Sequence, residues 1–164
     1  LLKTSLTHDK DRLYLWEAGW LGFKANPILG IGIGNHARDY EQYRQIVSAR
    51  HDGYRFINKP GAGVHNLYLQ MAYSLGSLGL LTYLWWCGTV LVWCAVSLRK
   101  AGPQHRLEVG LLWGCIGGLV GSMTAAFFEN NFFDSEVQNM LMLLIGLALF
   151  AGMEVRLRKG GSFG

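Results

Sequence analysis

A single imidazole, His65, heads the uncharged stretch NLYLQMAYSLGSLGLL (66–81), and Arg12, Arg38, Arg44, Arg50 and Arg55 precede it in one hydrophilic segment. A neutral imidazole takes a proton from a hydroxyl near neutral pH, which speeds such reactions about 10²–10⁴-fold. Arginine stays charged and grips two phosphate oxygens at once. Side by side, these groups suit proton abstraction next to a phosphate-bearing leaving group. A lone histidine also serves as a helix cap or a backbone partner, so the structural role stands beside the chemical one.

Two other patterns carry weaker chemistry. HDKD, His8 to Asp11, brings Asp9 and Asp11 into the Asp-x-Asp arrangement that holds divalent metals in many nucleotide-sugar enzymes. Acidic residues in the first turn of a helix, stabilised there by its dipole, give the plainer explanation. GIGIGN, Gly30 to Asn35, is spaced like a loop whose backbone N–H groups cradle an anion before a helix. No βαβ context accompanies it and no acidic residue stands at the ribose distance, so a hinge between two helices is the alternative to a phosphate contact. Cys87, Cys94 and Cys115 all lie in apolar runs, without disulfide or zinc spacing, and read as packing residues.

The elements that must position these groups belong to a membrane. Hydrophobic residues make up 51% of the chain and charged ones only 16%, which is the balance of a membrane protein. Runs near 76–98, 109–128 and 137–153 lack Asp, Glu, Lys and Arg, and each is long enough to cross a bilayer as a helix. Arg99, Lys100 and Arg106 follow the first run and Arg156, Arg158 and Lys159 follow the third, whereas Glu129, Asp134 and Glu136 separate the second from the third. The positive-inside rule places both basic segments in the cytoplasm, and the odd number of spans then puts His65 on the outer face. The +4 net charge is scattered through these segments without forming a stripe, so nucleic acid is not an expected partner. No signal peptide is evident at the N-terminus, and the chain reads as a piece of something longer.

Residues 7–65 form the expected extracytoplasmic loop, 66–153 the membrane domain and 154–164 a cytoplasmic tail. Leu13, Trp16, Trp20 and Phe23 recur at helical spacing and suit a helix lying on the membrane surface, ending at Asn26 before Pro27. Residues 35–50 make a second helix, with Tyr40, Tyr43 and Val47 on one face. The stretch from His51 to Gly63 has no period and reads as a loop. In the second span Gly110, Gly114 and Gly118, with Gly117 and Gly121 beside them, leave a smooth side for a neighbouring helix. The expectation is an all-α integral membrane protein: three transmembrane helices preceded by a mostly helical extracytoplasmic loop, within a larger helical bundle.

At these residues the sequence resembles the O-antigen ligase and polymerase family of bacterial membrane glycosyltransferases. The matching pieces are Arg12 with Trp16, then NPILGIGIGN (26–35), then HNLYLQMAYSLGSLGLL (65–81), followed by apolar spans. The resemblance implies a multi-pass enzyme of the bacterial inner membrane, its active site facing the periplasm or exterior. Such enzymes join a glycan from undecaprenyl diphosphate to a hydroxyl of a glycan or lipid acceptor, using neither metal nor other cofactor. His65 then corresponds to the family's general base and Arg12 to the arginine that holds the donor diphosphate. Asn66 either orients the imidazole or contacts sugar. Arg55 as a second anion contact follows from its place in the loop and not from the resemblance. Ser74 replaces a glutamate common at that point in the family, so a carboxylate that could orient the helix or the base is missing there.

The competing class is a lipid flippase or transporter segment without bond-making. Transporter spans ordinarily carry ionisable residues, and these carry none, which counts against ion coupling but not against moving a lipid. A non-catalytic bundle subunit whose outer loop binds a partner is the third possibility, and there His65 would be dispensable.

Overall fold

The computed structural model describes the backbone of residues 2–57, 63–130, 132 and 134–160, with the side chains of these except 2–8, 36–37 and 159–160. The chain is an all-α membrane protein. Helices α1 (Leu2–Ala25), α2 (His36–Arg50), α3 (Leu67–Lys100), α4 (Arg106–Ala125) and α5 (Ser135–Gly160) follow in order, with no strand among the described residues. Three of them are long and apolar enough to cross a bilayer, over Leu67–Lys100, Arg106–Ala125 and Ser135–Arg158. Trp85, Trp113, Leu143 and Phe150 stand exposed on these helices, an arrangement that suits lipid and would be costly in water.

The chain divides into two compact units. The first combines Leu1–Thr82 with Ala126–Asn131. Its core consists of Leu15, Ala18, Tyr40, Val47, Val64 and Tyr73, all fully buried. Burying a side chain such as Leu15 or Val47 contributes about 1.5–3 kcal/mol. Tyr40 and Val47 share the apolar face of α2, and the Tyr40 hydroxyl donates to the Leu15 carbonyl at 2.7 Å, tying α2 to α1. From α1 this core takes Leu15 and Ala18, while Leu13 and Trp20 remain exposed.

Loop 27–32 closes this unit by plugging a break in α3. Gly76 interrupts that helix with φ 69° and ψ −170°, a backbone that strongly favours glycine. The break frees carbonyls before it and N–H groups after it, and the loop meets both sets. Ile31 and Gly32 donate to the carbonyls of Tyr73 and Ser74 at 3.1 and 2.9 Å, while the N–H groups of Ser77 and Leu78 donate to Pro27 and Ile28 at 2.8 and 3.3 Å. The approach is close enough that a Cβ on Gly76 would lie 2.1 Å from the Ile28 oxygen. GIGIGN is therefore a connector between helices whose Ile31 and Gly32 N–H groups serve α3, and an anion would have to displace α3 to reach them.

The second unit holds Tyr83–Ala125 and Phe132–Gly164. Leu112, Cys115 and Leu119 of α4 are buried, as are Leu141, Ile145, Ala148, Ala151 and Val155 of α5. Cys87, Cys94 and Cys115 are free thiols inside this packing. A Cβ added at Gly118 would run into Leu144, whereas one at Gly110, Gly114, Gly117 or Gly121 would point into open space. His105 is a structural histidine: its Nδ1 accepts from the Gly102 N–H at 3.1 Å in the turn before α4.

Candidate active site

The site is built at the entry to α3. The Val64 N–H donates to Gln70 Oε1 at 3.2 Å, and Gln70 Nε2 donates to Ser74 Oγ at 3.1 Å. Val64, Gln70 and Ser74 are all buried, so this relay grips the backbone immediately before His65. His65 itself takes φ 52°, the left-handed region that non-glycine residues seldom occupy. Asn66 Oδ1 then accepts from the Leu69 N–H at 3.0 Å, which satisfies one of the unpaired donors of the first helical turn. The cap thus belongs to Asn66 and leaves the His65 ring free of that duty.

Segment 126–129 docks on this helix start. The Leu67 N–H donates to the Ala126 carbonyl at 2.8 Å, and Asn66 Nδ2 donates to the Phe127 carbonyl at 3.1 Å. Phe127 packs on Tyr68 with ring centroids 4.7 Å apart. These contacts deliver Glu129 between a guanidinium and an imidazole. Its Oε1 lies 3.5 Å from an Arg12 guanidinium nitrogen, and its Oε2 lies 3.6 Å from His65 Nδ1. Arg12 comes from α1 and His65 from the entry to α3, so one carboxylate joins residues far apart in sequence. All three side chains remain partly exposed, at 42%, 31% and 45% for Arg12, His65 and Glu129, so solvent and substrate can reach them.

The other arginines divide by environment. Arg44 is buried, paired with Glu41 at 3.0 Å and lying 4.5 Å from the Phe56 ring centre, so it is a packing cation. Arg50 pairs with Glu17 at 3.3 Å, and His51 Nε2 reaches the other Glu17 oxygen at 2.8 Å while its ring stacks on Tyr14. The His51 hydrogen bond, aided by Arg50, holds the Glu17 carboxyl below the usual carboxylate range despite an opposing contribution from burial. Arg55 is exposed, on a loop that Asp11 anchors: the Ile57 N–H donates to Asp11 Oδ1 at 2.9 Å and the Tyr54 hydroxyl at 3.4 Å. Burial, with the neighbouring Asp11 charge, pushes the Tyr54 phenol up. Arg55 makes no hydrogen bond or ion pair among the described residues, and the structure does not bring it to Glu129.

Asp11 is buried and Asp9 exposed, because residues two apart on a helix face different ways. The Asp-x-Asp pair therefore does not converge, and the His8 side chain lies outside the described residues. No group of three His, Cys, Asp or Glu residues gathers at metal-ligand spacing among the described residues. Glu129 is the site residue that sequence reasoning missed. It counted there only as negative charge between two spans, yet it supplies near His65 a carboxylate of the kind absent at Ser74.

The family profile of the O-antigen ligases matches residues 3–84. The chain belongs to the O-antigen ligase family. Its members are glycosyltransferases of the ligase or polymerase type. The matched region includes Arg12, Arg55, His65, Asn66 and the loop that plugs α3, whereas Glu129 lies outside it. No curated protein and no solved structure matches the chain significantly.

Proposed function

We propose that this O-antigen ligase family member moves a glycan from undecaprenyl diphosphate to an acceptor hydroxyl on the outer face of the bacterial inner membrane. The acceptor is a glycan or a lipid. The observation that carries the proposal is that Arg12, from α1, and His65, from the entry to α3, converge on the same carboxylate. With Nδ1 turned to Glu129, Nε2 remains to take the acceptor proton. The acceptor oxygen attacks the anomeric carbon, the bond from that carbon to the phosphate oxygen breaks, and the diphosphate leaves with the electron pair. Arg12 stabilises the charge that gathers on it. A diphosphate is already a good leaving group, so the scheme routes no step through a metal. Arg55 lies on the loop anchored to Asp11, the residue before Arg12, and offers a second anion contact, and Asn66 fixes the backbone that presents the imidazole. The outer location is supported by Arg99, Lys100, Arg106, Arg156 and Arg158 flanking the opposite helix ends.

The test is glycan transfer by the full-length protein in reconstituted vesicles, with donor movement between leaflets followed in parallel. His65→Ala and Arg12→Ala should each lower transfer by about 10²–10⁴-fold. Normal transfer with either variant would overturn the proposal. Loss of donor movement in both variants, with transfer of already translocated donor intact, would assign the flippase role instead.

A further inference from the structure

Glu129 occupies Arg12 with the kind of anion that a diphosphate would supply, and this has a consequence for the order of events. The carboxylate stands 3.5 Å from Arg12 and 3.6 Å from His65. Charge-assisted hydrogen bonds close to about 2.7–2.9 Å, so Glu129 is stretched between two partners and fully bonded to neither. Because both members of the Arg12–Glu129 pair are more than 40% exposed, the pair is weak and easily exchanged. A diphosphate brings more charge and more acceptor oxygens to the guanidinium than one carboxylate can.

Resting on the reading of Arg12 as the donor contact and His65 as the base, we infer that Glu129 is a placeholder which the donor diphosphate displaces from Arg12. Freed on that side, the carboxylate closes onto His65 Nδ1 and fixes the tautomer whose Nε2 accepts the acceptor proton. Donor binding thereby readies the base, and the imidazole is fully fixed only when a diphosphate occupies Arg12. Glu129 is a positioning residue in this scheme, since it touches neither the sugar nor the breaking bond. The segment that carries it is well placed for a small shift. Its backbone is pinned at Ala126 and Phe127, whereas among the described residues the Glu129 side chain has only its two long contacts, to the Arg12 guanidinium and the His65 imidazole.

The inference sets opposite expectations for binding and turnover. In Glu129→Gln the neutral amide no longer competes for Arg12, so the donor KM and the inhibition constant of undecaprenyl diphosphate should both fall. A fall of about 1.5–5-fold matches the loss of an exposed ion pair. The amide also no longer stabilises an imidazolium, so kcat should fall at least about 10-fold. These constants are measured on the full-length protein in vesicles, with His65→Ala and Arg12→Ala alongside. If those two variants are inactive while Glu129→Gln leaves KM unchanged or raises it, the placeholder role is wrong and the transferase reading stands. If they retain transfer, the transferase reading fails and takes the base-readying step with it. In that case undecaprenyl diphosphate binding still decides whether Glu129 competes at Arg12. Should Glu129→Gln fold poorly, Glu129→Asp replaces it. Too short to reach both partners, it should still tighten diphosphate binding, and unchanged binding would equally overturn the inference.

Discussion

At the scale of single residues, His65 is held by a device that lies outside the chemistry. Ser74, Gln70 and the Val64 N–H form a buried relay that fixes the backbone one residue before a left-handed histidine. Gln70→Met leaves the Val64 N–H without an acceptor, at a cost of about 1–3 kcal/mol. Transfer should drop with it. Gln70→Glu keeps the acceptor and lets Ser74 donate, so it should restore most of the activity, with kcat and thermal unfolding of both variants as the readout. Equal loss in both would make Gln70 a simple packing residue. The histidine and arginine types were legible in the sequence because few side chains combine a neutral base with a permanent cation. Glu129 was not, because its partners lie 64 and 117 positions earlier in the chain and only the docking of segment 126–129 on α3 brings them together. Ser74 shows the same limit: read as a missing carboxylate, it is the acceptor that completes the relay.

At the scale of elements, two contacts organise the first unit. Loop 27–32 substitutes for the hydrogen bonds lost at the Gly76 break, so the break is structurally complete only with the loop in place. Gly76→Ala would combine a disfavoured positive φ with a Cβ 2.1 Å from the Ile28 oxygen, and should destabilise by more than about 1–3 kcal/mol. Gly110→Ala meets nothing within 4 Å and should leave the thermal unfolding of the isolated chain nearly unchanged. The second contact is Glu17 with His51 and Arg50. Because the folded Glu17 carboxyl sits below its ordinary value of 4.5, it stabilises the fold above that pH. The contribution is lost as pH falls through the lower folded value. Thermal unfolding followed down through the acid range should show this loss in the wild type and a flatter profile in Glu17→Gln. The helices themselves were readable from the period of Tyr40 and Val47 and from the charge-free runs. The break was not, since SLGSLG (74–79) fits an apolar helix as well as an interrupted one.

At the scale of the whole molecule, the sequence carried the fold class. Three charge-free runs cannot pack into a water-soluble core without partners, and the structure leaves Trp85, Trp113 and Phe150 facing outward. The glycines of α4 were visible as a row in the sequence, although only the structure separates Gly118, covered by Leu144, from the rest. The proposed topology has its own check. Gln104, just before α4, and Asp134, just before α5, are both exposed, and the native cysteines are buried. With Gln104→Cys and Asp134→Cys in intact cells, an impermeant maleimide should label position 134 and spare position 104. The reverse pattern would place the candidate site in the cytoplasm.

The central claim is that Arg12 and His65 serve one transfer event, and a double-mutant cycle on glycan transfer in vesicles tests it most directly. Residues acting as a unit lose most of their effect with the first deletion. Arg12→Ala with His65→Ala should therefore be little worse than either change alone. Two independent losses that multiply in full would contradict a shared site.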